Sequence, residues 1–193
     1  KPLPFKGWKS KYTQITKDNP KGNLTSAATA PGIIKAMRHV NDKMGHIKTI
    51  VVDDWQYMSS FEYFDRANEK GYEKFTQIAA NLAQVAKLPK DLRDDLTIIF
   101  LTHSEDSTDI NGNRKIKAKT VGKMIDNTLT LEGLFSIVLF GKVNKNDDGE
   151  LEYGFETQNN GDNTCKSLMG MFEDKFIPND LQFVKDCIEK YNQ

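Results

Sequence analysis

Two adjacent acids, Asp53 and Asp54, stand directly after the apolar, β-branched run Thr49-Ile50-Val51-Val52. Such a run reads as a buried strand of a parallel sheet, with its carboxylates at the strand's C-terminal end. Ligands of open α/β sheets bind at that edge. An acid there can hold the Mg²⁺ of a bound nucleotide: Asp53 would accept hydrogen bonds from metal-bound waters, and Asp54 would orient or deprotonate an attacking water. A buried strand followed by an acidic turn fits the same six residues. A second apolar run, Leu96–Leu101, ends in Thr102, His103, Ser104 and Glu105. If the two strands are neighbours, Asp53, Asp54, Thr102 and His103 converge on one crevice. His103 is then placed to sense a γ-phosphate, where a lone histidine would otherwise be structural.

The remaining chain supplies the elements that must hold these groups. Pro31-Gly32 after Thr29 opens a helix running to about Met44, with Ile33, Ile34, Met37 and Val40 on one face and Gly45 as its stop. The Asp53 strand follows. A long helical pattern then extends from about Phe61 to Lys87, open to interruption at Gly71 and ended by Pro89. Residues 104–117 are polar, contain Asn111-Gly112 and read as a mobile loop of functional length. A helix from about Ala118 to Thr128 leads to a third, nearly all-apolar strand, Leu134–Val143, expected to be central or well covered. Residues 144–150 make a turn, Leu151–Thr157 pairs back as a hairpin strand, and Pro178-Asn179-Asp180 starts a last helix with Leu181, Val184, Cys187 and Ile188 on one face. The alternation of strands and helices supports a mostly parallel sheet flanked by helices. Residues 1–30 read as an extended surface segment.

Other candidate sites are weaker. His39 and His46 have no carboxylate or thiol at ligand spacing. Asn144, Asn146, Asp148 and Gly149 imitate the start of a Ca²⁺-binding loop, but Phe155 occupies the twelfth position, where a bidentate Glu is needed. Arg114, Lys115, Lys117, Lys119 and Lys123 form the one local basic cluster, suited to a phosphate backbone or to a neighbouring subunit's nucleotide, and equally to a solvated loop. Phe5, Trp8 and Tyr12, interleaved with Lys6, Lys9 and Lys11, suit base stacking or a subunit-docking arm.

At 193 residues the chain suits one domain with a real core, and its formal net charge of zero gives no overall drive toward nucleic acid or anionic membrane. Cys165 and Cys187 read as free thiols of a reducing compartment. No stretch is long and apolar enough to span a membrane, and no signal peptide is expected. The expected location is the cytoplasm.

Taken together, KPLPFKGWKSKY, TIVVDDWQYM, FEYFDRANEKGYEKFTQIA, LRDDLTIIFLTHSE, KAKTVGKMIDNTLTLEGLFSIVLFGKV and NTCKSLMGMFEDKFIPNDL resemble the RecA-like ATPases of phages, relatives of Sak-type single-strand annealing proteins. The likeness covers nearly the whole chain. It implies an α/β, RecA-like core domain over residues 1–193, with a mostly parallel sheet and a C-terminal β-hairpin and helix. It implies Mg²⁺ and ATP as cofactors, and single-stranded DNA, self-association into a ring or filament, and a single-strand binding protein as partners. Asp53 matches the metal-holding Walker B acid, and Thr102-His103 the nucleotide sensor. Lys117, Lys119 and Lys123 fall where some relatives reach a neighbour's ATP. Arg114, Lys115 and Lys117 lie in the DNA-contacting loop. Asp54 becomes the catalytic base by default, beside His103. The Walker A pattern G-x-x-x-x-G-K-[ST] is absent from these residues and is expected upstream of Lys1, so a chain of this extent should bind ATP poorly or not at all. The rival expectation is a non-catalytic remnant of that core, serving as a DNA- or protein-binding or structural module.

Overall fold

Thr29 fixes where the first long helix begins: its side chain accepts a hydrogen bond from Gly32 N at 3.3 Å, and Pro31, in the first turn, lacks the N–H that would otherwise be orphaned there. The computed structural model describes residues 6–108, 111–121, 130–146 and 148–193. They fall into two compact units. One holds the described residues up to Thr102 with Thr120 and Val121; the other holds His103–Lys119 and the described residues from Thr130 onward.

In the first unit a single helical turn, α1 (Trp8–Lys11), stands in the segment expected to be extended. Thr13–Leu24 then closes on itself: Ile15 N donates to Leu24 O at 2.8 Å and Leu24 N to Thr13 O at 3.0 Å. Gly22 is needed there, because a Cβ would lie 2.4 Å from Gln14 O. α2 (Ala30–Lys43) buries Ala30, Ile33, Met37 and Val40, as its periodicity predicts. β1 (Thr49–Val52) follows. The long helical pattern is two helices, α3 (Gln56–Asp65) and α4 (Glu73–Lys87). The break includes Gly71, whose φ of 93° an L side chain resists. Asn81 Nδ2 of α4 donates to both carboxylate oxygens of Glu62 on α3 at 2.9 Å. A 3₁₀ turn over Leu88–Asp91, containing Pro89, leads to β2 (Thr97–Phe100). Arg93 joins these pieces. It donates to the carbonyls of Val40 (2.9 Å), Asn41 (3.0 Å) and Ile47, which ties the C-terminal end of α2 and the turn after it to the approach to β2.

β1 and β2 pair in parallel, from Thr49 opposite Thr97 to Val52 opposite Phe100. Trp55 packs on Phe100, with ring centroids 5.0 Å apart. The mostly parallel sheet expected from the sequence is not found among the described residues: these two strands are the only parallel pair of named strands.

The second unit is antiparallel. β3 (Ser104–Thr108) and β4 (Arg114–Ala118) form a hairpin where a mobile loop was expected. The composition is polar, but acids on β3 meet bases on β4 across the strands, which a loop does not require. Leu134–Val143 is not a central parallel strand. Leu131–Leu134 is a 3₁₀ turn, Val138 makes an isolated antiparallel bridge with Lys166, and Phe140 begins β5 (Phe140–Lys145). β5 pairs with β6 (Leu151–Glu156), and β6 with β7 (Phe176–Pro178). The run is apolar because Ile137 and Leu139 pack on a core of Met171, Phe172, Ile177 and Val184. The β5–β6 turn is the predicted hairpin turn: Asn146 N and Glu150 O bond at 2.9 Å, and strands flank it on both sides. α5 (Leu181–Tyr191) begins at Asp180, whose side chain accepts from Gln182 N at 2.8 Å. Of the helix expected over 118–128, Ala118 ends β4 and residues 122–129 lie outside the described residues. Cys165 is buried and its thiol lies 2.9 Å from Val138 O and 2.8 Å from Glu156 O; burial pushes its pKa up to about 11.

Candidate functional site

Asp53 and Asp54 leave β1 immediately after its last paired residue, and Leu101 and Thr102 leave β2 immediately after its own. Both chains therefore depart on the C-terminal edge of the parallel pair, as the sequence suggested. Two backbone bonds clasp them: Leu101 N donates to Val52 O at 2.9 Å, and Trp55 N to Leu101 O at 3.2 Å. The carbonyl of Asp54 then accepts from Tyr57 N at 3.0 Å and turns the chain into α3. Asp54 has φ 51° and is the only described non-glycine residue with a positive φ. Aspartate tolerates this left-handed conformation better than most residues because its short polar side chain can bond locally. Backbone in sparsely populated regions gathers at functional sites. Asp53 is exposed and Asp54 half-buried.

This edge can present carboxylate oxygens to a hydrated divalent cation. Mg²⁺ is commonly held by one or two carboxylates, with water and phosphate oxygens completing its octahedron. Asp53 and Asp54 fit that demand. No group of three or more His, Cys, Asp or Glu that could hold a metal by itself occurs among the described residues. The 193 residues contain no glycine-rich lysine loop to cradle phosphates, so they fit a Mg²⁺ ion but do not by themselves fit ATP.

The face of the pair carrying Val51 is open. Val51, mid-strand, is 50% exposed, and Leu101 just beyond β2 is also exposed. Strands of parallel sheets are normally covered on both faces.

The other predicted site residues stand elsewhere. Thr102 closes the first unit and is exposed; His103 opens the second. The carbonyl of His103 accepts from Lys119 N at 2.8 Å, which ties off the base of the β3–β4 hairpin. Lys119 is exposed, and Lys123 lies outside the described residues. Two residues of the basic cluster, Arg114 and Lys117, meet acids of their own hairpin, and a third, Lys115, meets a carbonyl beyond it. Arg114 Nε meets Asp106 Oδ1 at 2.7 Å, Lys117 lies 3.4 Å from Glu105, and Lys115 Nζ donates to Gly161 O at 2.8 Å. The Arg114 guanidinium holds the Asp106 carboxyl below its ordinary range, and Asp106 in turn raises Arg114.

Three polar residues were not singled out from sequence. Gln56 and Ser59 are buried in the first turns of α3, one step behind the acidic turn, and Gln56 Oε1 and Ser59 Oγ have no hydrogen-bond partner. Their i, i+3 spacing on a helix face was readable, but nothing in the sequence marked that face as buried. Glu132 is buried in the second unit, where its Oε1 accepts from Ala118 N at 2.7 Å and Thr164 Oγ1 at 2.8 Å.

Compared with protein-family models, with curated proteins and with solved structures, the chain finds no match in any of the three.

Proposed function

We propose that this chain is the acidic-edge portion of a RecA-like, Mg²⁺-dependent ATPase core that acts on single-stranded DNA in phage recombination or replication, in the host cytoplasm. One observation carries the proposal: a parallel strand pair, open on the Val51 face, that delivers two adjacent carboxylates to its C-terminal edge. A phosphate-binding strand, loop and helix would cover such a face and supply the missing cradle. Asp53 is the residue that would hold Mg²⁺, which when bound neutralises phosphate charge. Asp54, fixed in its left-handed turn, would take the proton of the attacking water. Thr102 stands at the same edge. Nucleotide sensing by His103, Lys119 and Lys123 rests on the resemblance alone.

The test is ATP turnover by the natural gene product with Asp53→Ala. Loss of Mg²⁺-dependent hydrolysis in a folded variant is expected; retained turnover would sink the metal assignment. The 193-residue chain alone should show little or no ATP binding by calorimetry.

A non-catalytic module is the second reading, and the internal ion pairing of the β3–β4 hairpin favours it, because matched cations attract phosphate weakly. A folded gene product with no turnover in any divalent cation would establish that reading over the first.

A further inference from the structure

α3 turns a stripe of aromatic rings to solvent. Tyr57, Phe61 and Phe64 recur at i, i+4 and i+7, which places them on one helix face, and they are 40, 49 and 70% exposed. The rings of Tyr57 and Phe61 are 5.8 Å apart. Single exposed aromatics are ordinary; a contiguous apolar patch with a polar rim marks an interaction surface. The sequence around the stripe is acidic. Residues 53–74 hold six acids against three bases. Of the bases, Arg66 is committed to Glu62 and Glu69 at 3.0 and 2.8 Å, and Lys74 is buried and donates to Arg66 O at 3.3 Å. Exposed Asp65 and Glu73 therefore have only Lys70 nearby in sequence to balance them.

The complement lies on the same chain. Residues 6–21 carry five lysines against the single acid Asp18. α1 within this segment buries no residue completely; its lysines are exposed, and Trp8 and Tyr12 are half-buried. Lys9 and Lys11 lie over the rings of their own neighbours, Trp8 at 5.8 Å and Tyr12 at 5.9 Å. It is a basic, aromatic turn, opposite in charge to the α3 stripe and similar to it in apolar character.

We propose that a second copy of this chain docks its α1 segment on the α3 stripe, with Trp8 and Tyr12 against Phe61 and Phe64 and with Lys9 and Lys11 facing Asp65 and Glu73. The acidic surrounding sequence disfavours a nucleic-acid occupant and favours a cationic protein segment. Because donor and acceptor surfaces differ, the contact is heterologous and repeats head to tail, closing into a ring or extending as a chain. It deepens the self-association expected of the proposed function, but it needs no nucleotide, so its failure and the failure of the ATPase reading are separately visible.

Sedimentation velocity of the 193-residue chain, over a concentration series at low and high salt, tests this. The wild-type chain is expected to assemble with concentration and to dissociate as salt screens the pairs. Lys9→Glu/Lys11→Glu and Asp65→Lys/Glu73→Lys are each expected to be monomeric with unchanged circular dichroism, and an equimolar mixture of the two to assemble again. Phe61→Ser/Phe64→Ser should be monomeric and not rescued by either. A wild-type chain that stays monomeric throughout, or charge variants that assemble as the wild type does, would overturn the proposal. So would a lysine variant that loses only single-stranded DNA binding, which would assign the segment to DNA.

Discussion

Two regions of the molecule, the acidic edge of β1 and β2 and the β3–β4 hairpin, treat charge in opposite ways. At the edge of β1 and β2, Asp53 and Asp54 stand side by side at the end of an apolar strand, one exposed and one half-buried, on backbone that most residues avoid. In the β3–β4 hairpin, Asp106 faces Arg114 and Glu105 faces Lys117, so each strand meets most of the other's charge. Like charges side by side at a strand end repel each other. Opposite charges paired across a ladder stabilise the ladder and leave less for a partner. The lesson is that bases clustered in sequence need not stand unpaired in the fold: Arg114 and Lys117 meet acids across the strands, and Lys115 meets the carbonyl of Gly161.

The contrast can be broken first at the level of the cores. Phe172→Ala in the second unit should cost about 3–5 kcal/mol, and Ile78→Ala, fully buried in α4 of the first, about 2–5 kcal/mol. Urea denaturation followed by far-ultraviolet circular dichroism measures both. Next comes Glu132→Ala. It strands the Ala118 N–H and the Thr164 hydroxyl near the hairpin's base and should cost about 1–3 kcal/mol in the same assay. If Glu132→Ala proved neutral, the second unit would not depend on its carboxylates for stability.

A smaller effect separates backbone from charge at the acidic edge. Asp54→Val should lose about 1–2 kcal/mol because a β-branched residue resists φ 51°, whereas Asp54→Gly should fold at least as well as the native chain while losing the carboxylate. A thermal melt of the two variants decides it. The smallest effect is in pH. Asp106 has its carboxyl lowered by Arg114, so the pair's stabilisation is full above the ordinary carboxylate range and disappears as pH falls through the lowered value. Carboxyl-carbon NMR should find Asp106 titrating below the ordinary aspartate value, and Arg114→Gln should return it toward that value.

Local signals were legible where local physics decides. Thr29 with Pro31 and Gly32 announced α2, Gly71 allowed for the break between α3 and α4, Asp180 marked the start of α5, and residues 144–150 declared a turn between two strands. The acidic end of β1 and its neighbour β2 were readable because each apolar run stops abruptly in polar residues. Partner choice was not readable. The run Leu134–Val143 is equally apolar whether it sits in a parallel sheet or packs beside Phe172 and Val184, and only contacts distant in sequence decide. The segment 104–117 reads as a loop because it lacks the apolar–polar alternation of a strand; its acids come first and its bases after, and they meet only once the chain folds back. The Asn111-Gly112 pair that suggested mobility is also a hairpin signal. Phe61 and Phe64 belong to the long helical pattern of the sequence, but periodicity does not say which side of a helix meets water.

Both tryptophans of the chain lie in the first unit, and Trp55 is buried against Phe100 one residue after Asp54. The acidic edge therefore carries its own optical probe. A cation or nucleotide settling on Asp53 and Asp54 would disturb an indole whose backbone N–H is hydrogen-bonded to the end of β2. Unlabelled protein could then report occupancy of that edge by a change in emission, with Trp8, replaced by phenylalanine, removed as background.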